Sequence, residues 1–227
     1  MNPQTGSDSA PRAKAKVLVV DDHALVRRGL SALIGSEPDL EVCGEAADPA
    51  EALTRLATQK PDLVIVDLSL QNGHGLDLIR QLRAHDDGLR ILVLSMHDEV
   101  LFAERSLRAG AHGYINKQEA TDKVVHAIRQ VLVGKVYLSG AMTERMLQRA
   151  TTGDAVEAQL PSERLSDREL TVFQMVGEGL GTREIAERLR LSIKTIETYR
   201  EHIKAKLGLK NSSELGRHAA QWVLENT

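Results

Sequence analysis

The sequence predicts an α/β domain with a doubly wound, five-stranded parallel sheet, followed by an all-α domain of four helices. Three observations predict this fold class. Short aliphatic runs recur at regular spacing over residues 16–133, segments with helical periodicity separate them, and the strand signal stops after Gly134. Because parallel strands need long crossover connections, strands that alternate with helices favour a parallel sheet.

Five segments of the α/β domain are predicted as strands. Three are continuous aliphatic runs, a composition typical of strands that are buried on both faces, and two are weaker candidates. The strong candidates are Val17–Val20, Leu63–Val66 and Ile91–Leu94, and the weaker ones are Leu40–Gly44 and Gly113–Asn116. In the strand order 2-1-3-4-5 of such sheets, the first and third strands are neighbours.

The chain divides into four segments by pattern and composition. Residues 1–15 lack periodicity and predict a disordered tail, and residues 16–133 form the α/β domain. Residues 134–163 predict a linker that contains one short helix at 139–150, and residues 164–227 form the helical domain.

The first helix of the second domain has a recognisable start. Ser166 and Glu169 have the spacing of a capping box, in which each side chain accepts from the other residue's backbone N–H. Gly179 and Gly181 end that helix, and three further helices are predicted at about 182–190, 192–207 and 212–222. Four short helices in so few residues predict a compact bundle.

Composition excludes several classes of protein and site. Hydrophobic residues make up 42% of the chain, charged residues 27%, and the formal net charge is -3, which is ordinary for a globular protein. Aromatic residues are only 3%, so an aromatic cage is not expected. The single Cys43 can form neither an internal disulfide nor a cysteine zinc site. The chain has no apolar run of membrane-spanning length, so we expect a soluble, cytoplasmic protein without a membrane partner.

Polar side chains lie where the predicted strands end. Asp21 and Asp22 follow the first strand, Asp67 the third, Ser95 the fourth and Lys117 the fifth. The carboxyl ends of parallel strands share one edge of the sheet, so these side chains should converge. Strand-end aspartates can simply cap the next helix, but this combination in this order is rarely accidental.

Three converging carboxylates repel one another and therefore need a cation. Oxygen ligands favour a hard ion, and Mg²⁺ typically binds a few carboxylates together with phosphate oxygens. An aspartate can also attack phosphorus and form an aspartyl phosphate. Lys117 could then pair with one phosphoryl oxygen, and the Ser95 hydroxyl could donate to another. The pattern therefore indicates a magnesium-dependent phosphoryl-acceptor site.

Four stretches of the α/β domain resemble the receiver domain of bacterial two-component response regulators, which has a flavodoxin-like fold. They are VLVVDDHALVRRGL, DLVIVDLSLQNGHGLDLI, ILVLSMHDE and AGAHGYINK. The resemblance implies that Asp67 is the phospho-acceptor. It also implies that Mg²⁺ is held by Asp21, Asp22, Asp67 and the backbone carbonyl of Ser69.

The same resemblance implies roles for the residues around the acceptor. Ser95 and Lys117 would sense the phosphoryl group, and Tyr114 would reposition on activation. Ser69 and His97 would tune hydrolysis of the acyl phosphate, unless they are plain surface residues. Two departures stand out, because the family often has proline where this chain has Gln71 and Gln118. The isomer of the peptide bond before Gln118 therefore stays open, since a cis bond there would cost about 3 kcal/mol.

The second domain has the pattern of a helix-turn-helix, in which a short helix and a tight turn precede a helix that enters the major groove. Helical periodicity of 100° per residue places Ile196, Ile203 and Leu207 on the inward face of that second helix. The opposite face then presents Lys194, Thr198 and Glu201, with Glu197 and His202 at its margins. An ordinary amphipathic helix with solvated charges would show the same pattern.

A longer stretch of the second domain favours the helix-turn-helix over an ordinary amphipathic helix. LSDRELTVFQMVGEGLGTREIAERLRLSIKTIETYREHIKAKLGLKN resembles the LuxR-type helix-turn-helix module, and with the receiver the chain resembles a NarL/FixJ-type response regulator. The resemblance implies that Glu197, Thr198 and Glu201 face base edges, and that Lys194, Arg200 and Lys204 meet phosphates. In the final helix we expect dimer contacts from Leu215, Ala219 and Trp222, with a core role for Trp222 as the alternative.

We therefore expect a transcription regulator whose phosphorylation by a sensor histidine kinase controls dimerisation and binding to an operator in double-stranded DNA. RNA polymerase is a further candidate partner. The receiver would catalyse only its own phosphorylation and dephosphorylation, so no enzyme acting on a metabolite is expected. Two rivals are a magnesium-dependent aspartyl-phosphate phosphatase, which would need a cap insertion, and a quorum-type regulator, which would need an apolar signal pocket.

A hypothesis about regulation follows from the two-domain order. The unphosphorylated receiver is expected to pack against the helical domain and to shield the recognition helix, including Thr198. Phosphorylation of Asp67 would then favour a dimer in which this helix is free.

Overall fold

The structure is a computed structural model, and it describes residues 13–70, 74–97, 99–152 and 164–226. Residues 1–12 of the predicted tail, Gln71 and linker residues 153–163 lie outside the described residues.

Five parallel strands form one sheet in the predicted order, β2-β1-β3-β4-β5. All five predicted strands are present, and three of them extend one or two residues further than the aliphatic pattern indicated. The strands are Ala15–Val20 (β1), Leu40–Ala46 (β2), Leu63–Val66 (β3), Arg90–Ser95 (β4) and Gly113–Asn116 (β5).

Helices connect the strands, and one more helix follows the sheet where the sequence predicted a short helix. Among the described helices, none combines the length and apolar character needed to span a bilayer. The bounds are Ala24–Gly35 (α1), Pro49–Gln59 (α2), Gly75–His85 (α3), Glu99–Ala109 (α4), Ala120–Leu132 (α5) and Gly140–Thr152 (α6).

The sheet is covered on both faces because successive strand residues point to opposite sides. In β1, Val17 and Val19 pack with α1 and α5 residues such as Ile34 and Ile128. Leu18 and Val20 pack on the other face, where α2, α3 and α4 lie. Burial on both faces explains why these strands are continuous aliphatic runs, and it leaves the carboxyl edge of the sheet for polar side chains.

The helical domain contains four described helices, as predicted. Its core is aliphatic apart from one aromatic pair, in which the ring centroids of Phe173 and Trp222 lie 5.3 Å apart. The helices are Asp167–Gly177 (α7), Thr182–Leu189 (α8), Ile193–Leu207 (α9) and Ser212–Asn226 (α10).

The predicted capping box opens α7. The Ser166 backbone N–H donates to Glu169 Oε2 at 2.7 Å, and the Glu169 N–H donates to Ser166 Oγ at 3.4 Å. The same Glu169 oxygen accepts from Lys206 Nζ of α9 at 2.6 Å. This buried carboxylate thus caps α7 and ties it to α9.

The structure corrects the predicted dimer contacts. The side chains of Leu215, Ala219 and Trp222 are buried in the core of their own domain, where they offer no surface to a second chain. Their apolar stripe on α10 faces α7, and the two helices approach so closely that a Cβ on Gly177 would lie 2.4 Å from the Ala219 carbonyl oxygen. The alternative considered for Trp222, a core role, matches its observed position.

Candidate functional site

The carboxylates predicted to converge do lie together at the carboxyl edge of the sheet. β1 pairs with β3 so that Val20 lies beside Val66, and the next residues, Asp21 and Asp67, therefore lie side by side. One ligand atom from each of Asp21, Asp22, His23 and Asp67 lies within 4.8 Å of the others. We call this group the acidic cluster.

Local hydrogen bonds fix the two loops that carry the cluster. Asp21 Oδ1 accepts from the His23 backbone N–H at 2.8 Å, and the Asp21 carbonyl accepts from Arg27 Nη1 at 2.6 Å. Behind Asp67, the start of α3 packs so tightly that a Cβ on Gly75 would lie 2.3 Å from the Asp67 carbonyl oxygen. Only glycine therefore lets α3 approach the loop of the acceptor.

Lys117, in the turn after β5, bridges two of the carboxylates. Its Nζ lies 2.7 Å from Asp21 Oδ2 and 2.7 Å from Asp67 Oδ2, and all three side chains are nearly buried. Burial raises the pKa of Asp67 to about 6, with Lys117 opposing and Asp21 adding to the rise. Burial alone would lower the pKa of Lys117, but the two carboxylates raise it above its ordinary value.

One buried oxygen of the cluster, Asp67 Oδ1, accepts no hydrogen bond from any described residue. Asp22 Oδ1 also accepts no geometric hydrogen bond, but His23 Nδ1 lies 2.6 Å from it. Buried polar atoms normally have partners, so the Asp67 oxygen fits a site for a bound cation. Carboxylate oxygens in this number suit Mg²⁺. The residues present therefore fit the predicted ion.

His23 belongs to this cluster, although the sequence pattern did not single it out. Its Nδ1 lies 3.3 Å from Asp21 Oδ1 and 2.6 Å from Asp22 Oδ1, and its residue is the N-cap of α1. Its position directly after the Asp doublet was the available signal.

Ser95 and Tyr114, the two predicted switch residues, both bond to the backbone of His97. Ser95 Oγ accepts from the His97 N–H at 3.2 Å, and the Tyr114 hydroxyl donates to the His97 carbonyl at 2.8 Å. The two side chains are fully buried. Ser95 and Tyr114 are thus linked through one peptide segment, which the sequence did not indicate.

The imidazole of His97 meets the other predicted tuning residue. Its Nε2 lies 3.0 Å from Ser69 Oγ, and its ring centroid lies 4.6 Å from that of Phe102. Burial lowers the pKa of His97 to about 4, with nearby cations led by Arg188 adding to the effect. The imidazole is therefore neutral at pH 7. All peptide bonds of the described residues are trans, which includes the bond between Lys117 and Gln118.

The helical domain lies over this edge of the α/β domain. Residues of α7 and α8 help to close a cavity of about 270 Å³ that also contains Asp67 and Lys117. The contributing residues of the helical domain are Gln174, Met175, Glu178, Arg188 and Leu189.

Ion pairs join the two domains at two places. Arg190 Nη1 lies 3.2 Å from Asp22 Oδ2, inside the acidic cluster. At the second place, Asp167 accepts from Arg80 at 3.1 Å and from Arg105, which also donates to the Leu165 carbonyl at 2.9 Å. Charged contacts thus join the domains both inside and outside the acidic cluster.

His74 is buried at the start of α3, close to this domain interface. Its Nδ1 accepts from the Leu76 N–H at 3.2 Å and caps α3, while its Nε2 has no hydrogen-bond partner among the described residues. Burial holds the pKa of His74 well below its usual range, and Arg168 of α7 adds to this effect. His74 is therefore neutral in the folded protein.

Replacing His74 with Asn should flatten the acid side of the stability curve. Asn can still cap the helix, but it does not titrate. In the wild type the unfolded chain takes up the proton first as the pH falls through about 6.5, so the free energy of unfolding falls with it. Denaturant unfolding at about pH 7 and about pH 5 should show a smaller loss for His74→Asn. Equal losses in the two proteins would contradict the burial of a neutral imidazole.

The outward face of α9 carries the residues predicted to contact DNA. Ser192 caps the helix by accepting from the Thr195 N–H at 3.0 Å, and Ile196 and Ile203 are buried on the inward face as predicted. Of the six predicted contact residues, four are exposed and two are half-buried. The exposed ones are Lys194, Glu197, Thr198 and Glu201, and the half-buried ones are Arg200 and Lys204.

This exposure contradicts the hypothesis that the docked receiver shields the recognition helix. The α/β domain contacts α7 and the end of α8, and it leaves Thr198 and Glu201 in solvent. Within α9, Lys204 Nζ pairs with Glu201 Oε1 at 2.9 Å. The docking instead contacts the acidic cluster, through the ion pair between Arg190 and Asp22.

Comparisons with known proteins identify a separate family for each of the two domains. Residues 17–129 match the family model described as a response regulator receiver domain, and residues 163–219 match the one described as bacterial regulatory proteins of the luxR family. The chain is 36% identical over 208 residues to the oxygen regulatory protein NreC of Staphylococcus carnosus, which covers 90% of this chain and 96% of that protein.

Solved structures give the same picture. A LuxR-family two-component response regulator from Aurantimonas has a TM-score of 0.57 and 34% identity, over 61% of this chain and 99% of that one. RcsB of Salmonella enterica serovar Typhimurium, bound to the promoter rprA with the phosphomimetic BeF3-, has a TM-score of 0.59 and 27% identity, over 91% of this chain and 98% of that one.

Proposed function

Because the chain belongs to the two-component response regulators with a LuxR-type DNA-binding domain, and so regulates transcription, we propose that a sensor histidine kinase phosphorylates Asp67. The observation that carries the proposal is the junction of three carboxylates with Lys117 at one sheet edge. In this reaction an Asp67 oxygen attacks phosphorus, the P–N bond to the kinase histidine breaks, and an acyl phosphate forms.

Mg²⁺ would be held by Asp21, Asp22, Asp67 and the backbone carbonyl of Ser69, and when bound it would neutralise negative charge on the transferred phosphoryl oxygens. Asp67 supplies the nucleophile. With a pKa of about 6, its carboxylate is mostly ionised at pH 7. Its unpartnered Oδ1 is the oxygen that no protein hydrogen bond competes for.

Lys117 and Ser95 would then contact the phosphoryl group on Asp67 and respond to it. Lys117 can exchange one of its two carboxylate partners for a phosphoryl oxygen, and the Ser95 hydroxyl can donate to another. Rotation of the Ser95 side chain would break the hydrogen bond that its Oγ now accepts from the His97 backbone N–H. Since Tyr114 donates to the carbonyl of the same residue, a shift of His97 would reposition Tyr114.

Ser69 and His97 would tune how long the acyl phosphate lasts. Both line the cavity that contains Asp67, and they bond to each other. A neutral, bulky imidazole beside the acceptor would limit the access of water to phosphorus. We propose no catalysis beyond this self-phosphorylation and self-dephosphorylation.

DNA binding is assigned to the outward face of α9. We propose that Glu197, Thr198 and Glu201 meet base edges, and that Lys194, Arg200 and Lys204 meet phosphates. Phosphorylation would favour a homodimer that reads two half-sites of an operator. RNA polymerase is the proposed partner downstream. A regulator of transcription must reach the chromosome, so we propose a cytoplasmic location.

Metal removal tests the chemistry. Full-length protein incubated with acetyl phosphate and Mg²⁺ should gain one phosphoryl group in intact-protein mass spectrometry. The same incubation with a chelator should give no modified protein, because the three carboxylates then repel the incoming phosphoryl oxygens. Adding Mg²⁺ back in excess should restore the modification. Undiminished labelling in the chelator would contradict the metal site.

A further inference from the structure

One ion pair between the domains reaches into the acidic cluster. Arg190, directly after α8, lies with Nη1 3.2 Å from Asp22 Oδ2. The Asp22 side chain is only 6% exposed, whereas the Arg190 side chain is 50% exposed. The helical domain thus places a half-solvated cation on a carboxylate that is itself nearly buried.

The negative charge of the acidic cluster is compensated in part by Arg190, in the place of a divalent cation. Lys117 pairs with Asp21 and Asp67, but its Nζ makes no ion pair with Asp22 in the described structure. The three carboxylates and the ammonium together leave two negative charges, which is the charge that one divalent cation neutralises, and His23 Nδ1 lies 2.6 Å from Asp22 Oδ1 beside them. In the docked arrangement the guanidinium of Arg190 supplies part of that compensation instead.

A metal ion and Arg190 cannot both be favourable at this site. The ion would bring two positive charges next to a guanidinium that already lies against Asp22, and like charges at such distances repel. Both cations would also use oxygens of the same carboxylate. Arg188 and Leu189, the last two residues of α8, line the cavity that contains Asp67 and Lys117, so the end of α8 lies at the site while the helical domain is docked.

We propose that Arg190 is an internal competitor of the divalent cation at Asp22, so that metal binding and docking of the helical domain oppose each other. The proposal rests on the metal site assigned above, and it adds a residue of the DNA-binding domain to the control of that site. Coupling of this kind is reciprocal. If docking weakens cation binding by a given factor, the cation weakens docking by the same factor.

Because the coupling is reciprocal, an interdomain contact far from the acidic cluster can test it. Asp167 pairs with Arg80 and Arg105 outside the cluster, and it touches none of the carboxylates of the cluster. Weakening docking at Asp167 should therefore tighten metal binding through the domain equilibrium alone. A purely local effect of Arg190 would leave Asp167 without influence.

The experiment is calorimetric titration of Mg²⁺ into the unphosphorylated full-length protein and its variants. Arg190→Ala should bind Mg²⁺ about three- to tenfold more tightly than the wild type, the range expected for a partly exposed pair and a modest coupling. Asp167→Asn should tighten binding in the same direction. Arg183→Ala removes the same charge from an exposed position on α8 and should bind as the wild type does.

Each result decides the proposal. Wild-type affinity in Arg190→Ala overturns it, and so does an equal gain in Arg183→Ala, since that would be a general charge effect. Tighter binding in Arg190→Ala with wild-type affinity in Asp167→Asn overturns the link to docking. If Asp22→Asn binds Mg²⁺ as tightly as the wild type, the metal site itself is wrongly assigned, which is a different failure.

Discussion

Replacing Asp67 with Asn is expected to abolish phosphoryl transfer completely. The substituted side chain has nearly the size of the original, but its amide oxygen is not a nucleophile toward phosphorus. Intact-protein mass spectrometry after treatment with acetyl phosphate and Mg²⁺ should therefore show only unmodified protein. Asp77→Asn, at an exposed position on α3, is the matched control and should be modified like the wild type.

The loss should not come from unfolding. Burial raises the pKa of Asp67, which means that the ionised carboxylate costs stability at neutral pH. Asn removes that charge, and Lys117 keeps Asp21 as a partner. We expect the free energy of unfolding of Asp67→Asn to equal or exceed that of the wild type at pH 7. Continued labelling of a folded Asp67→Asn protein would place the acceptor elsewhere.

Replacing Lys117 with Ala should have the second largest effect. The substitution leaves Asp21 and Asp67 buried next to each other without their shared cation. Breaking a buried ion pair in this way costs on the order of 3 kcal/mol. The loss in the free energy of unfolding should be largest above pH 7 and smaller near pH 5, because the raised pKa of Asp67 lets it take up a proton there.

Lys117→Ala should also lose the response to phosphorylation. No other cation lies within ion-pair distance of Asp67 in the described structure, so the phosphoryl group would lack its proposed partner. Lys123→Ala removes an exposed lysine that pairs with Glu119 one helical turn away, and it should behave as the wild type in both tests. Phosphorylated Lys117→Ala that binds DNA as tightly as phosphorylated wild type would contradict the sensing role.

The sequence predicted the sheet and the acidic cluster because both depend on local pattern. Continuous aliphatic runs such as Val17–Val20 are read directly, and the carboxyl ends of parallel strands must share one edge. The sequence alone therefore predicted that Asp21, Asp67 and Lys117 lie together, as they do in the structure. The capping box at Ser166 was predicted for the same reason, since it needs only two residues at a fixed spacing.

What the sequence could not supply were contacts that depend on tertiary placement. The bonds of Ser95 and Tyr114 to the backbone of His97 involve no motif. The pair between Arg190 and Asp22 joins residues 168 positions apart, in different domains. Which part of the helical domain is covered also depends on docking, and this is why the predicted shielding of α9 was wrong.

The final helix shows a further limit of pattern reasoning. An apolar stripe at helical spacing reveals that one face is buried, but it does not reveal against what. Leu215, Ala219 and Trp222 were assigned to a dimer interface, whereas in the structure they pack within the domain. The small residue Gly177, which allows the close approach of α7 and α10, was the signal that could have suggested internal packing.

The central claim is that phosphorylation of Asp67 controls DNA binding. Its most direct test is the affinity of the full-length protein for a fragment selected from genomic DNA, measured by fluorescence anisotropy with and without acetyl phosphate and Mg²⁺. Salt must be held constant, because phosphate contacts make the affinity depend on it. Acetyl phosphate should tighten binding by the wild type and leave Asp67→Asn at the unphosphorylated level. An equal gain in Asp67→Asn, or no gain in fully modified wild type, would contradict the claim.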